Sequence, residues 1–315
     1  MCPSFTNART LMSKKADSKA ASIVHYVVNL VLKGAIGLAL LLPYPQRVRM
    51  MGWLTAHVFS PIGGFRKRVR RNLARVMPEL SQEDVKKLCV QVPDNAGRTL
   101  IEIYSGEEFV ERAIGAPIEG PGLARLEAAR AEGRPVILVT GHMGNYDVVR
   151  ANLIHRGFNM GALYRRMSNP YFNEHYVKSI SKIGTPMFEQ GRKGMIEMVR
   201  HLKKGGILGI LTDLHHNRGE VLDFMGFPAG TSLITAELAL KYNAALIPVY
   251  GIREPDGLSF RIIALEEVPH SDPVTMTQAV NDGLAELVRA HPEQWFWIHR
   301  RWKYDEDGKL QPHGV

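Results

Sequence analysis

The chain has 315 residues, of which 45% are hydrophobic, and this is enough to bury the core of one large domain. Its formal net charge of +9 at pH 7 favours acidic partners such as nucleic acid, anionic lipid or phosphorylated substrates. The two cysteines, Cys2 and Cys89, form neither a CxxC pair nor a zinc-binding spacing, so neither a disulfide framework nor a zinc site is expected.

The amino-terminal residues predict a tail followed by an apolar helix. Residues 1–20 are polar, small and basic, which is typical of a flexible tail. Residues 21–43 are the most apolar stretch of the chain, but Lys33 interrupts them. A bilayer span needs about 20 apolar residues, and a Lys at its centre costs about 2.5–3.5 kcal/mol. We therefore expect a membrane-associated segment that either spans the bilayer marginally or lies in its interface. A buried core helix and, more weakly, a cleaved signal peptide are the alternatives.

A helical region is predicted at residues 44–121, and it carries a dense cationic cluster. The cluster consists of Arg66, Lys67, Arg68, Arg70, Arg71 and Arg75. A cationic helix at about 65–77 suits an anionic lipid surface, although the charge run alone would equally fit a solvated helix face. An excess of arginine beside a membrane segment marks its cytoplasmic side.

Strands and helices alternate over residues 122–315, which we expect to form the catalytic region together with the preceding helices. The predicted helices are 123–132, 146–156, 171–183, 192–204, 232–242 and 274–290, and the predicted strands are 135–140, 161–164, 207–211, 245–250 and 259–264. This alternation, with continuous apolar strands, predicts a layered α/β fold with a mostly parallel central sheet. Ligands bind to such sheets at the carboxyl ends of the strands.

The sequence GHMGNYD follows the first apolar strand, where that rule places a site. It contains His142, four further residues and Asp147. On an ideal helix the two side chains would lie about 140° apart and could not share one face. They can meet if His142 lies in the turn before the helix, and Gly141 and Gly144 allow such a tight bend. A carboxylate on one ring nitrogen would leave the other as a base for a substrate hydroxyl. A capping Asp beside a solvated His is the ordinary alternative.

Further sequence blocks occur in the same order as in a known family. They are Arg68-Val69-Arg70-Arg71-Asn72-Leu73 with Asn95, Gly97, Arg98 and Glu102; Tyr164-Arg165 with Asn169; Thr212-Asp213 with Phe224-Met225-Gly226 and Pro228-Ala229-Gly230-Thr231; and Pro292-Glu293-Gln294-Trp295 with Trp297-Ile298-His299-Arg300-Arg301-Trp302-Lys303. Together with the motif at His142, they resemble the late acyltransferases of lipid A biosynthesis, within the wider group of HxxxxD acyltransferases. The resemblance covers residues 41–303. Leu214 departs from the Gln that members often carry, and Asp147 from a common Glu.

The resemblance implies an O-acyltransferase that moves a fatty acyl group from acyl-ACP, or from acyl-CoA, to a hydroxyl of a lipid A precursor. It implies that His142 is the general base and that Asp147 orients it. The expected partners are an acyl carrier protein or CoA thioester, a phosphorylated glycolipid and a membrane, without nucleic acid, cofactor or metal. The expected location is the inner membrane, with the active site facing the cytoplasm. A lysophospholipid or other glycolipid acyltransferase with the same pair is the alternative.

A second set of residues is expected to bind substrate. It consists of Arg165, Asn169, Asp213, Phe224, Gly226, Thr231 and Arg300. The fork of Arg165 matches a phosphate group, although a structural salt bridge would use it equally well. Asp213 is expected to hold Arg165 or a loop in place. Phe224, Gly226 and Thr231 are expected to shape the acceptor pocket.

Other function classes lack their sequence signals. There is no GxSxG elbow of a serine hydrolase, and no GxxxxGK or GxGxxG loop of a nucleotide-binding enzyme. A nucleic-acid binder would fit the charge but leaves the apolar segment unexplained. His215 and His216 have no third metal ligand beside them in the sequence, so they do not predict a metal site.

Overall fold

A mixed sheet forms the centre of the computed structural model, which describes residues 6–305 and 309–311, with side chains from residue 22 onward. The strands are β1 (Ile118–Glu119), β2 (Val136–Thr140), β3 (Met160–Tyr164), β4 (Met187–Glu189), β5 (Ile207–Leu211), β6 (Glu220–Phe224), β7 (Phe227–Thr231), β8 (Ala245–Arg253) and β9 (Phe260–Ala264). Among the described residues, seven strands pair in the order β1-β9-β8-β2-β5-β3-β4, and only β8 and β9 run antiparallel. The prediction of a mostly parallel α/β sheet is confirmed.

The helices follow the predicted alternation closely from residue 122 onward. They are α1 (Thr6–Leu40), α2 (Tyr44–Leu54), α3 (Ser60–Ile62), α4 (Phe65–Val76), α5 (Gln82–Tyr104), α6 (Glu107–Ile114), α7 (Gly122–Ala131), α8 (Asp147–His155), α9 (Pro170–Ile183), α10 (Arg192–Lys203), α11 (Ile234–Tyr242) and α12 (Pro273–Ala290), and a π-helical turn at Thr55–Phe59 joins α2 to α3. Some of these helices begin at a residue whose side chain accepts hydrogen bonds from backbone N–H groups of the first turn. Asp272 accepts hydrogen bonds from the backbone N–H groups of Val274 and Thr275, both at 3.0 Å, and thereby caps α12.

Helices cover both faces of the sheet, which is why its central strands are apolar throughout. All five residues of β2 are buried. Val136 and Leu138 belong to one core cluster with residues of α8, whereas Ile137 and Val139 belong to another with residues of α11. Because successive side chains of a strand point to opposite faces, a strand that is buried on both faces reads as a continuous apolar run.

Some strands differ from the sequence prediction for local reasons. The strand predicted at 259–264 lies inside the sheet, between β1 and β8, and β1 falls inside the region expected to be helical. The three-residue β4 was not predicted, nor was the antiparallel hairpin of β6 and β7. This hairpin contains Gly226, Pro228 and Gly230, which weaken the strand pattern of its sequence.

The first helix presents an exposed apolar surface. Residues 6–20, expected to be a tail, belong to α1, and residues 1–5 of that prediction lie outside the described residues. In the part of the chain described, Ser22–Leu40 is a helix long and apolar enough to cross a membrane, with a mean hydropathy of 1.8 and 11% of its residues buried. This exposure contradicts the alternative of a buried core helix.

The second half of α1 is nevertheless attached to α9. The hydroxyl groups of Ser22 and Tyr171 lie 2.8 Å apart, and the side-chain amide of Asn169 donates to the carbonyl of His25 at 2.7 Å. The rings of Tyr26 and Tyr171 also meet edge to face at 5.5 Å. The apolar helix is therefore held at a defined position beside the domain.

The cationic helix α4 packs on the carboxyl-terminal segment. Its buried face contains Val69 and Leu73, and Asn72 donates hydrogen bonds to the carbonyl oxygens of Trp297 at 2.7 Å and His299 at 3.0 Å. These contacts fix the carboxyl-terminal segment next to the sheet edge where β2 and β5 end.

Candidate active site

The loop between β2 and α8 carries His142 and is held by backbone hydrogen bonds from neighbouring segments. The N–H of Gly144 donates to the carbonyl of Gln294 and the N–H of Asn145 to the carbonyl of Gly251, both at 3.0 Å. Gly144 has φ +50°, and a Cβ at this position would collide with the carbonyl oxygen of Gly251. The close approach of the two backbones therefore requires glycine at residue 144.

The carboxylate that meets His142 belongs to Asp213. Its Oδ1 lies 2.8 Å from Nδ1 of His142, and its Oδ2 accepts from the backbone N–H of His142 at 2.8 Å. The indole Nε1 of Trp295 donates to the same Oδ2 at 2.9 Å. Asp213 thus binds the ring and the backbone of His142 together, which fixes the orientation of the imidazole.

The sheet register explains this pairing. Thr140 of β2 lies opposite Leu211 of β5 in a parallel ladder, so His142 and Asp213 stand two residues beyond the ends of adjacent strands. Both residues follow the carboxyl ends of parallel strands, where ligands bind to such sheets. The sequence alone does not show that β2 and β5 are neighbours.

Asp213 is ionised although it is almost completely buried. Burial opposes ionisation, but the attraction of His142, its two hydrogen bonds and the hydrogen bond from Trp295 outweigh it and lower the pKa of Asp213 to about 2. A carboxylate that accepts several hydrogen bonds is favoured in its charged form. Asp213 therefore remains an anion throughout the physiological pH range.

Asp147, which is expected to orient His142, contacts Arg150 in this structure, and its orienting role stays a prediction. Its Oδ1 accepts from Nε of Arg150 at 2.9 Å and from Nη2 at 2.7 Å, and both side chains are buried. Arg150 also donates to the carbonyl oxygens of Ile180 at 3.0 Å and Gly184 at 2.7 Å. Asp147 thus neutralises an arginine that joins α8 to the end of α9.

A buried network of charged and polar side chains supports the loop between β2 and α8. Asn145 donates from its amide to Oε2 of Glu102 at 2.8 Å, and Nη2 of Arg253 donates to the same oxygen at 2.7 Å. Thr99 donates to the carbonyl of Gly144 at 2.8 Å. Glu102 was singled out in the sequence only through the family resemblance, and Arg253 was missed because a lone Arg in a long apolar strand carries no pattern.

Three of the expected substrate-binding residues are accessible. Arg165 directly follows β3 and is exposed, Gly226 lies in the turn between β6 and β7, and Arg300 is exposed on the carboxyl-terminal segment. Their assignment to the substrate stays a prediction.

Three other candidates, Asn169, Phe224 and Thr231, are engaged inside the protein, and their expected role in substrate binding stays a prediction. Phe224 is buried against the rings of Trp295 and Trp302. Thr231 is fully buried, where its hydroxyl accepts from Nη2 of Arg301. Asn169 caps α9 with its Oδ1 and bonds α1 with its Nδ2. The aromatic and polar types that suggested a pocket are here used for packing and capping.

Within the residues that the structure describes, no group of three or more His, Cys, Asp or Glu side chains could hold a metal ion. Aromatic rings lie next to His142. The ring of Tyr146 lies 5.5 Å from that of His142, and the ring of Phe296 lies 5.9 Å from it.

Comparison with known proteins gives consistent matches along most of the chain. The family described as "Bacterial lipid A biosynthesis acyltransferase" matches residues 14–304. The chain is 27% identical over 283 residues to the lipid A biosynthesis lauroyltransferase of Escherichia coli (strain K12), covering 87% of this chain and 91% of that protein. It is 24% identical over 281 residues to the lipid A biosynthesis palmitoleoyltransferase of the same organism, covering 86% and 89%. It is also 25% identical over 258 residues to the phosphatidylinositol mannoside acyltransferase of Mycobacterium tuberculosis (strain CDC 1551 / Oshkosh), covering 79% and 81%.

The Glu102–Arg253 pair generates a stability prediction. Glu102→Gln leaves the buried guanidinium of Arg253 without its counter-charge, which costs about 3–5 kcal/mol of unfolding free energy. Urea unfolding measures this loss. As the control, Glu266→Gln breaks an ion pair with Arg125 in which both side chains are more than half exposed, so about 0–1 kcal/mol is expected. Equal losses in the two variants would contradict a structural role for the buried pair.

Proposed function

The chain belongs to the bacterial lipid A biosynthesis acyltransferase family, and from that premise we propose that it moves a fatty acyl group from an acyl-ACP thioester to a hydroxyl of a lipid A precursor. It is thus an acyltransferase, whose family joins acyl groups to glycolipids. The observation that carries the proposed chemistry is the contact between His142 and Asp213 at the carboxyl ends of two adjacent strands.

His142 is proposed as the general base. With Nδ1 bound to the anionic Asp213, the neutral ring carries its proton on Nδ1, and its Nε2 has a free lone pair. No residue that the structure describes bonds to Nε2, and the imidazole is partly exposed. Nε2 is therefore available to accept a proton from a substrate hydroxyl.

The transfer is proposed to proceed in two balanced steps. Nε2 takes the hydroxyl proton while the oxygen bonds to the thioester carbonyl carbon, whose π electrons move to the carbonyl oxygen. The tetrahedral intermediate then collapses: the C=O bond re-forms, the C–S bond breaks, and the proton passes from His142 to the thiolate. Asp213 stabilises the imidazolium between the two steps, and no covalent acyl-enzyme is required.

The accessible arginines are proposed to bind acidic groups of the substrates. Arg165 follows β3 at the same edge of the sheet as the pair, and its planar fork matches a phosphate group. A lipid A precursor is favoured as the acceptor because the lauroyltransferase and palmitoleoyltransferase matches cover the chain more fully than the mannoside match does. Acyl-CoA is the alternative donor, and a mannosylated phosphatidylinositol is the alternative acceptor, which the mycobacterial match favours.

We further propose that α1 holds the enzyme at the inner membrane, with the active site on the cytoplasmic side. Most apolar side chains of Ser22–Leu40 are exposed, as are those of Trp53, Phe59 and Ile62 beyond it. Burial of this apolar surface in lipid removes it from water, which stabilises the membrane-bound protein by about 25 cal/mol per Å². The neighbouring α4 presents Lys67 and Arg70 to solvent, which complements anionic lipid.

The proposed base is tested by acyl transfer with purified full-length protein, lauroyl-ACP and a tetraacylated lipid A precursor. His142→Ala removes the proton acceptor, so we expect kcat to fall by at least about 10³-fold with intact folding. Mass spectrometry of the lipid product measures the transfer, and circular dichroism checks the fold. Near wild-type turnover in His142→Ala would overturn the mechanism.

The same assay decides the acceptor. Transfer to a mannosylated phosphatidylinositol without transfer to the lipid A precursor would replace the proposed substrate with the alternative. Replacing lauroyl-ACP by lauroyl-CoA separates the two donors.

The contact of His142 with Asp213, rather than with Asp147, gives a second prediction. Asp213→Asn places an amide N–H against Nδ1 of His142 and stabilises the wrong tautomer, so kcat is expected to fall by about 10³–10⁴-fold. Asp147→Asn instead weakens the pair with Arg150, so we expect a lower melting temperature and a kcat within about tenfold of wild type. The reverse ranking of the two kcat values would restore Asp147 as the orienting residue.

The membrane proposal is tested with charges placed on the exposed face of α1. Val27 and Val31 are 51% and 65% exposed, so Val27→Arg with Val31→Arg places the two charges on the exposed face of α1. Arginine at the centre of a span costs about 2.5–3.5 kcal/mol, so fractionation of cells should move the protein out of the membrane pellet. Glu286→Arg changes the net charge by the same amount on α12 and should stay in the pellet. Unchanged sedimentation of the double variant would contradict the proposal.

A further inference from the structure

A second histidine, His299, lies beside the pair of His142 and Asp213. The N–H of Phe296 donates to the carbonyl of His142 at 3.0 Å, and the N–H of His299 donates to the carbonyl of Phe296 at 3.1 Å. On the other side, the N–H of His215, two residues after Asp213, donates to Nε2 of His299 at 2.9 Å. The imidazole of His299 is thus connected to the segments that carry both members of the pair.

These contacts define the tautomer of His299. Because a backbone N–H donates to Nε2, that nitrogen carries a lone pair, and the proton of the neutral ring resides on Nδ1. Burial lowers the pKa of His299 to about 4; Arg301 and Lys303 add to this effect, whereas Asp213 opposes it. The ring is therefore neutral at physiological pH and presents Nδ1–H as a donor.

The position of His299 is fixed, while its donor has no partner in the protein. Asn72 of α4 holds the carbonyl of His299 at 3.0 Å, and the ring is partly buried. Among the residues that the structure describes, none accepts a hydrogen bond from Nδ1 of His299. The ring is also close enough to His142 and Asp213 to interact electrostatically with both. An ordered neutral donor next to a general base is suited to a charge that develops during the reaction.

We propose that Nδ1–H of His299 donates a hydrogen bond to the thioester carbonyl oxygen and stabilises the oxyanion of the tetrahedral intermediate. This inference rests on the proposed acyl transfer. When the acceptor oxygen bonds to the carbonyl carbon, the π electrons move to the carbonyl oxygen, and the hydrogen bond from His299 becomes charge-assisted. When the C–S bond breaks, the electrons return to the carbonyl, and His299 keeps its proton throughout. A neutral donor is preferred here because an imidazolium would disturb the adjacent base.

A purely structural role for His299 would use its other nitrogen. In that case the ring serves only as the acceptor for the N–H of His215, and Nδ1 is unimportant. The two roles therefore predict opposite effects of two substitutions. Gln places its amide oxygen near the position of Nε2 and keeps the acceptor, whereas Asn places its amide N–H near the position of Nδ1 and keeps the donor.

The test compares His299→Gln with His299→Asn in the lauroyl-ACP assay with the lipid A precursor. We expect His299→Gln to lose about 10²-fold in kcat with little change in KM, because a donor used only in the transition state is removed. His299→Asn should retain kcat within about tenfold. A loss confined to Asn, equal losses in both variants, or no loss in either would overturn the proposal. Melting temperatures of both variants identify any loss that is due to unfolding.

A second measurement is independent of the substrate and therefore of the proposed function. In ¹⁵N-histidine NMR spectra of the wild-type protein in detergent, assigned by the signals missing in His299→Gln, we expect a neutral ring at pH 7 protonated on Nδ1. Protonation on Nε2, or a cationic ring, would overturn the inference. Absence of acyl transfer by the wild-type protein would overturn the proposed function instead, and the tautomer would still be decided by the spectra.

Discussion

The carboxylate of Asp213 is the contact on which the arrangement of the site depends. It receives hydrogen bonds from the ring and the backbone of His142 and from the indole of Trp295, and these groups come from three separate parts of the chain. A buried carboxylate without such donors would be strongly disfavoured as an anion. The hydrogen bonds therefore hold the end of β2, the end of β5 and the carboxyl-terminal segment together, and they orient the imidazole of His142 at the same time.

Two further buried ion pairs support the structure around the site without contacting the imidazole of His142. Asp147 is paired with Arg150, which also donates to the carbonyl of Gly184. Glu102 is paired with Arg253 and accepts from the side-chain amide of Asn145 in the loop of His142. Removing one partner of a buried ion pair costs several kcal/mol of stability. Breaking either of these pairs is therefore strongly disfavoured. The site thus contains three buried carboxylates, but only Asp213 contacts the imidazole.

The sequence predicted the architecture well because its signals are local. The apolar run of β2 and the glycines around His142 follow from periodicity and backbone freedom, and the structure confirms the strand and the bend. The contact of His142 with Asp213 was not predicted, because the HxxxxD spacing points to a neighbour in sequence, whereas Asp213 is a neighbour across the sheet. Strand order is a tertiary property that a single sequence does not contain. For the same reason the interior roles of Phe224 and Thr231 were not predicted.

The carboxyl-terminal segment at residues 292–303 contains a packed aromatic core and the partly accessible imidazole of His299. Trp295, Trp297 and Trp302 are buried and in ring contact with one another. Their indole N–H groups are each bonded within the protein. This rigid aromatic cluster fixes the backbone on either side of His299, whose ring remains partly accessible. Rigid support makes a donor effective in catalysis, because it does not have to reorient when charge appears. The tryptophans therefore hold in place the backbone of the histidine that they flank.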